Sequence, residues 1–278
     1  MRNQDVAVSP AEDVLSIENI CVEFSAKNGR RLKAVDDVSL QVKDHEFVAL
    51  IGPSGCGKST ILNAAAGLIP TLSGTIRING KPSSGISSDI GYISQMDTLL
   101  PWKSVLDNIA LGLELRGIKK KERRERAREL VDRMGLGGFE DSYPHELSGG
   151  MRKRVTIARV LAIDPKILFM DEPFGPLDAF TKEKLQDDIL RIWQDARQTI
   201  MYVTHDLSEA ITLADRVVLV SARPAQIKRE YPIDLPRPRK VMDIKFDPRF
   251  IELEKAIWGD LRGEIQKAGQ GEEYEEIK

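Results

Sequence analysis

The sequence predicts an α/β protein built on a mainly parallel sheet with helices on both faces. Three observations carry this. Short apolar runs of strand length recur along the chain: "EFVALIG" (46–52), "ILFM" (167–170), "TIMYV" (199–203) and "RVVLVS" (216–221). They are apolar throughout rather than alternating, as strands covered on both faces are. Helical segments lie between them, the order that crossover connections require. Third, "IGPSGCGKST" (51–60) follows an apolar run and opens "STILNAAAGLI" (59–69), so a strand, a glycine-rich loop and a helix come in immediate succession.

The remaining elements follow in chain order. Residues 1–13 read as a loose leader, and "VLSIENICVEF" (14–24) has strand composition. Further strands are expected at 74–79 ("GTIRIN") and 90–94 ("IGYIS"). Over 97–164 the pattern turns helical. Ala127, Leu130, Val131 and Met134 fall at i, i+3, i+4 and i+7, with "KKKERRERAR" (119–128) on the other face. Met151, Val155, Ala158 and Ala162 make a second stripe. These patterns divide the chain into the leader, a main domain over 14–224 with its helical part at about 97–164, and an extension over 225–278. The extension holds a proline-rich turn ("IDLPRPR", 233–239), one amphipathic helix (Phe250, Leu253, Ile257, Leu261) and an acidic tail.

Composition narrows the function classes. The 278 residues are 41% hydrophobic and 30% charged, which suits a globular chain with a sizeable core. A net charge of −2 gives no overall basic field toward nucleic acid or an anionic membrane. Cys21 and Cys56 are the two cysteines, without C-x-x-C spacing, so neither a disulfide framework nor a zinc or redox pair is expected. The N-terminus lacks the apolar run of a secretory signal. No stretch of about twenty apolar residues could span a bilayer. The expectation is a cytosolic chain able to dock on a membrane protein.

Gly52-x-x-x-x-Gly57-Lys58-Ser59 matches the phosphate-loop pattern. Its glycines let backbone N–H groups turn inward around phosphate oxygens, and the following helix presents its positive end to the same anion. The nucleotide contacts are therefore expected over Gly52, Pro53, Ser54, Gly55, Cys56, Gly57, Lys58, Ser59 and Thr60. Lys58 supplies charge to the β- and γ-phosphates, and the Ser59 hydroxyl suits Mg²⁺. "ILFMDEP" (167–173) puts Asp171 and Glu172 at the end of an apolar strand, where parallel sheets deliver functional residues. Asp171 would hold Mg²⁺ through its water shell, and Glu172 would orient and partly deprotonate the attacking water. The plainer alternative is a pair of solvated strand-end carboxylates. In "LSGGM" (147–151), Ser148, Gly149 and Gly150 sit where a helix begins and offer a second anion site. One γ-phosphate does not need two such sites from one chain. Two chains head to tail would let each phosphate loop meet the other's Ser148 segment. The alternative is a helix cap, for which serine also serves.

This set resembles the ATP-binding cassette family over roughly residues 14–225, with the family's motifs in order: 52–59, Gln95, 147–151, Asp171–Glu172, Asp178 and His205. The resemblance implies a RecA-like P-loop core with an antiparallel β portion and an inserted helical subdomain. It implies ATP and Mg²⁺, with Ser59, Gln95 and Asp171 at the metal and Asp178 at the nucleotide. It further implies that Gln95 senses the metal and a transmembrane partner, and that His205 contacts the γ-phosphate and holds Glu172. Phe24 would lie under the adenine ring, or else be a strand core residue. His45 and His145 match no motif. "LLPWKSVLDNIALGLELRG" (99–117), "THDLSEAITLADRVVLVSARPAQI" (204–227) and "IDLPRPR" look like importer ATPases for nitrate, aliphatic sulfonates and taurine.

The partners so implied are permease subunits, a second ATPase subunit (this chain or a related one) and, indirectly, an extracytoplasmic solute-binding protein. The implied place is the cytoplasmic face of the membrane. The rival is a soluble cassette ATPase acting on ribosomes or DNA. The basic run 119–128 lacks interleaved aromatics, and Glu122–Arg126 forms an i, i+4 pair, so a solvated helix face and no nucleic acid are expected. Three positions depart from the family pattern. Lys153 stands where glutamine is frequent, Ser94 where phenylalanine precedes Gln95, and Pro176 where a small residue precedes Asp178.

Overall fold

The computed structural model describes residues 13–25, 29, 31–83, 85–175, 177–196 and 198–276; the leader to residue 12 and Pro176 lie outside them. The chain opens with β1 (Asp13–Ser25), β2 (Arg31–Lys43) and β3 (Phe47–Ile51), followed by α1 (Lys58–Ala65). Next come β4 (Ser73–Ile78), β5 (Lys81–Pro82) and β6 (Ile90–Ile93). The helical region holds α2 (Val105–Ile109), α3 (Leu111–Leu115), α4 (Lys120–Arg133) and α5 (Gly149–Leu161). After it come β7 (Ile167–Asp171), α6 (Ala179–Ala196), β8 (Thr199–Val203), α7 (Leu207–Leu213) and β9 (Arg216–Val220). The chain closes with β10 (Ile227–Pro232), α8 (Val241–Ile244) and α9 (Pro248–Glu276).

Two sheets form. The larger has the order β10-β9-β3-β8-β7-β6, parallel except for β10. The smaller, β2-β1-β4-β5, is antiparallel throughout. β2 is the strand that composition hides. Only the three aliphatic residues of "DDVSLQVK" are neither charged nor polar, and these, Val38, Leu40 and Val42, are buried at alternate positions.

The period of two also divides the core. Phe47, Ala49 and Ile51 face a cluster shared with the helical region, α6, α7 and α9. Val48 and Leu50 face the opposite cluster, between the two sheets and against α1. β7 does the same, with Leu168 and Met170 on one side and Ile167 and Phe169 on the other. The continuous apolar runs are therefore strands buried on both faces.

The expected stripes are buried: Ala127, Leu130, Val131 and Met134 on and just after α4, and Phe250, Leu253, Ile257 and Leu261 on α9. Past residue 225 the chain still adds to the main sheet, because β10 pairs antiparallel with β9. The "DLPRPR" arginines hold that end together. Arg239 is buried and donates to the carbonyls of Ile211, Thr212 and Ala214 at the end of α7, and to those of Ile233 and Leu235. Arg237 donates to Asp215 and stacks over the Trp193 ring at 4.1 Å.

Candidate nucleotide-binding site

Four parallel strands end on one side of the main sheet, and each delivers a motif there. β3 runs into the glycine-rich loop, β6 into Gln95, β7 into Asp171 and Glu172, and β8 into His205. His45 lies at the other end, in the turn before β3, where its N–H donates to Thr199 Oγ1 at the start of β8. His145 stacks on Tyr143 in a short 3₁₀ turn.

Gly57 caps α1 with φ 120°, and a Cβ there would stand 2.8 Å from the Ala34 carbonyl oxygen. Both facts require glycine. Lys58 is buried and folds back over the loop, donating to the carbonyls of Gly52 (2.9 Å) and Pro53 (2.8 Å). Cys56 is buried beside it, and burial pushes its thiol pKa up. Arg223, in the turn between β9 and β10, donates to the Gly55 carbonyl at 2.7 Å. A cavity of about 370 Å³ opens against this loop, lined by Leu32, Ser54, Gly55, Cys56, Arg223 and Lys267 among others.

Ser59 Oγ donates to Asp171 Oδ1 at 2.8 Å. Tyr92 bridges Asn63 Oδ1 (2.8 Å) and Asp171 Oδ2 (3.4 Å). Burial raises the Asp171 pKa; the Ser59 hydrogen bond opposes that rise and the Glu172 charge adds to it. Ser59 and Asp171 thus offer hard oxygens side by side. Among the described residues no group of three or more His, Cys, Asp or Glu is placed to hold a metal. That donor set fits Mg²⁺, which takes one or two protein oxygens and completes its shell with water and phosphate.

Glu172 has φ 43°, a conformation that non-glycine residues seldom adopt. Its N–H is tied to the Val203 carbonyl at 2.9 Å. Its Oε2 lies 3.2 Å from His205 Nδ1 and accepts from Gln95 Nε2 at 3.5 Å. The backbone therefore turns Glu172 away from the strand line and toward these two partners.

Ser148 is the N-cap of α5, and its Oγ accepts from the Met151 N–H at 3.3 Å. Gly150 is packed so closely that a Cβ would meet Thr181 Cγ2 at 2.5 Å. Among the described residues no hydrogen bond joins Ser148–Gly150 to the glycine-rich loop of the same chain. Asp178 accepts from the Thr181 N–H at 3.0 Å, and that bond holds its pKa down. Phe24 is 43% exposed and pairs with Leu32, which lines the cavity. The core alternative for Phe24 is thereby corrected. It sits at the open end of the β1–β2 ribbon, near the Ser25–Arg31 pair.

Sequence reasoning passed over Tyr92, Asn63 and Arg223. The last two act through hydrogen bonds to residues distant in the chain, which no motif spacing marks. Tyr92 lies in a recognised strand, two residues before Ser94, and only register shows it reaching Asp171.

A glycine loop on a helix, a serine–aspartate pair and a carboxylate flanked by glutamine and histidine together define a nucleoside-triphosphate hydrolase of the P-loop class. Residues 35–175 match the ABC transporter family, and the chain belongs to it. An uncharacterized ABC transporter ATP-binding protein of Methanocaldococcus jannaschii is 47% identical over 91% of this chain and 93% of its own length. A taurine import ATP-binding protein of Rhizobium johnstonii is 43% identical over 88% and 95%. The dimeric post-hydrolysis state of an ATP-binding cassette bound to ADP and Pi superposes with TM-score 0.70 and 29% identity. That match covers 80% of this chain and all of the other. The chain is accordingly an ABC ATPase subunit that binds ATP. Among the described residues no helix is long and apolar enough to cross a membrane.

Proposed function

We propose that the chain powers a membrane importer for a small anionic solute and works as one half of a head-to-tail dimer. One observation carries this reading. Glu172, Gln95 and His205 meet beside the phosphate loop, while Ser148–Gly150 begins α5 and, among the described residues, makes no hydrogen bond to that loop. A second copy, or a related chain, supplies the missing half. Lys58, Ser59 and Asp171 of one subunit and Ser148 and Gly150 of the other would then enclose each ATP, with Asp178 at the seam and Phe24 under the base.

Mg²⁺ would be held by Ser59, Asp171 and Gln95 and would neutralise phosphate charge. Glu172 accepts a proton from the attacking water, and Gln95 and His205 keep its carboxylate aimed. The phosphate loop and the partner's N–H groups take up charge as it develops. Exposed Met96 and Trp102, at 77% and 70%, suit a permease surface at the cytoplasmic side of the membrane. Two relatives named as taurine import proteins, at 43% and 40% identity, favour this over action on ribosomes or DNA. They leave nitrate, a sulfonate or taurine as candidate solutes.

The test is size-exclusion chromatography of Glu172→Gln with ATP. A nucleotide-dependent shift from monomer to dimer is expected. A variant that stays monomeric at saturating ATP, or a monomeric parent chain that hydrolyses ATP at the full rate of the assembled protein, refutes the reading.

A further inference from the structure

The loop that carries Gln95 is gripped by α5. Lys153 is fully buried, and its Nζ donates to the carbonyls of Ser94 (3.2 Å) and Gln95 (3.0 Å), with Asp97 Oδ1 at 3.6 Å. Arg152 pairs with Asp97 at 3.2 Å, and Arg159 donates to the Thr98 carbonyl at 2.8 Å and to its hydroxyl. Three cations of one helix thus reach residues 94–98. Toward the catalytic carboxylate the same loop has the 3.5 Å bond from Gln95 to Glu172. Pairing with the main sheet stops at Ile93. The helix that grips the loop begins at Ser148.

We propose that Lys153 is a positioning residue that makes the Gln95 loop and the Ser148 helix one mechanical unit. A buried ammonium cannot lose its acceptors cheaply, so the loop cannot leave α5 without stranding a charge. A displacement of Gln95 is then passed to Ser148–Gly150 through the lysine rather than through the sheet. The hinge falls between Ile93 and Ser94. A glutamine here would hold the same carbonyls without the charge, and the coupling would be looser. This inference rests on the roles proposed for Gln95 and Ser148.

The test uses the full chain, with backbone amide order parameters and steady-state ATP hydrolysis. In Lys153→Met, the order parameters over 94–98 should fall from about 0.85 to below about 0.6, since two bonds to a charged donor are lost. The same variant should lose roughly tenfold in kcat with KM for ATP within about twofold, because the phosphate loop is untouched. Lys153→Gln should fall between parent and Lys153→Met. Unchanged order parameters over 94–98 in folded Lys153→Met overturn the proposal. If that variant does not fold, Lys153→Gln decides, and order parameters equal to the parent overturn it. Gln95→Ala separates the two ideas. Full kcat in that variant removes the role given to Gln95, whereas the order-parameter result judges the Lys153 strut by itself.

Discussion

Glu172 Oε2 lies 3.2 Å from His205 Nδ1, and the two residues come from the ends of neighbouring strands, β7 and β8. That contact sets the direction of the carboxylate. Replacing Glu172 by Gln removes the proposed proton acceptor but keeps the shape. ATP binding should persist, and kcat should fall by about 10²–10⁴, the range for loss of a general base. His205→Ala leaves the base present but unaimed. We expect about 10²-fold lower kcat and a smaller change in KM, read by single-turnover hydrolysis.

Asp171 predicts a stability–activity trade. Its pKa is raised in the fold, so the fold favours the protonated form. The sign follows: its contribution is greatest below the unfolded value and is lost as pH rises through the higher folded value. At neutral pH the ionised carboxylate is a net cost in the nucleotide-free chain. Asp171→Asn keeps an acceptor for Ser59 and should raise Tm by about 2–4 °C, the effect of ~1 kcal/mol in a chain near this size. ATP hydrolysis should be lost. A lower Tm in scanning calorimetry contradicts the account.

Arg239 predicts a packing defect far from the nucleotide. Burial lowers its pKa to about 10, yet it stays charged at neutral pH and closes the carbonyl end of α7. Arg239→Ala strands those carbonyls and should cost about 2–4 kcal/mol in urea unfolding. Arg239→Lys should recover only part, because a single ammonium cannot span acceptors on both sides of the guanidinium fork.

Gly150 separates packing from chemistry. Gly150→Ala should cost about 1–3 kcal/mol, because its Cβ meets the Thr181 methyl. Adding Thr181→Ser removes that methyl and should restore Tm. If hydrolysis returns as well, glycine at 150 serves packing alone, and the partner contact proposed for it is lost.

Much of the site was legible because phosphate binding is a local backbone property. The glycines that let 52–57 turn, and the lysine and serine that follow, are neighbours in the chain. Glu172 and Asp171 were legible because an apolar run has an end. Lys153 was visible only as a departure from a pattern. Its partners are backbone carbonyls 58 and 59 positions away, and carbonyls carry no sequence signal. Phe24 had two readings because a strand residue faces core or solvent according to the layer above it. β2 went unread because its exposed face is charged.

From the sequence alone came the class of chemistry: a loop shaped for phosphates, a hydroxyl beside it, and strand-end acids. Those rest on residue type, short spacing and the period of buried strands. Tertiary structure alone decided which groups meet. Strand order brought Gln95 to Glu172 across 77 positions and Ser59 to Asp171 across 112, and helix packing tied the Gln95 loop to α5. The reason is physical: local sequence sets backbone conformation, whereas contact between distant side chains depends on how separately formed layers bury their apolar faces together.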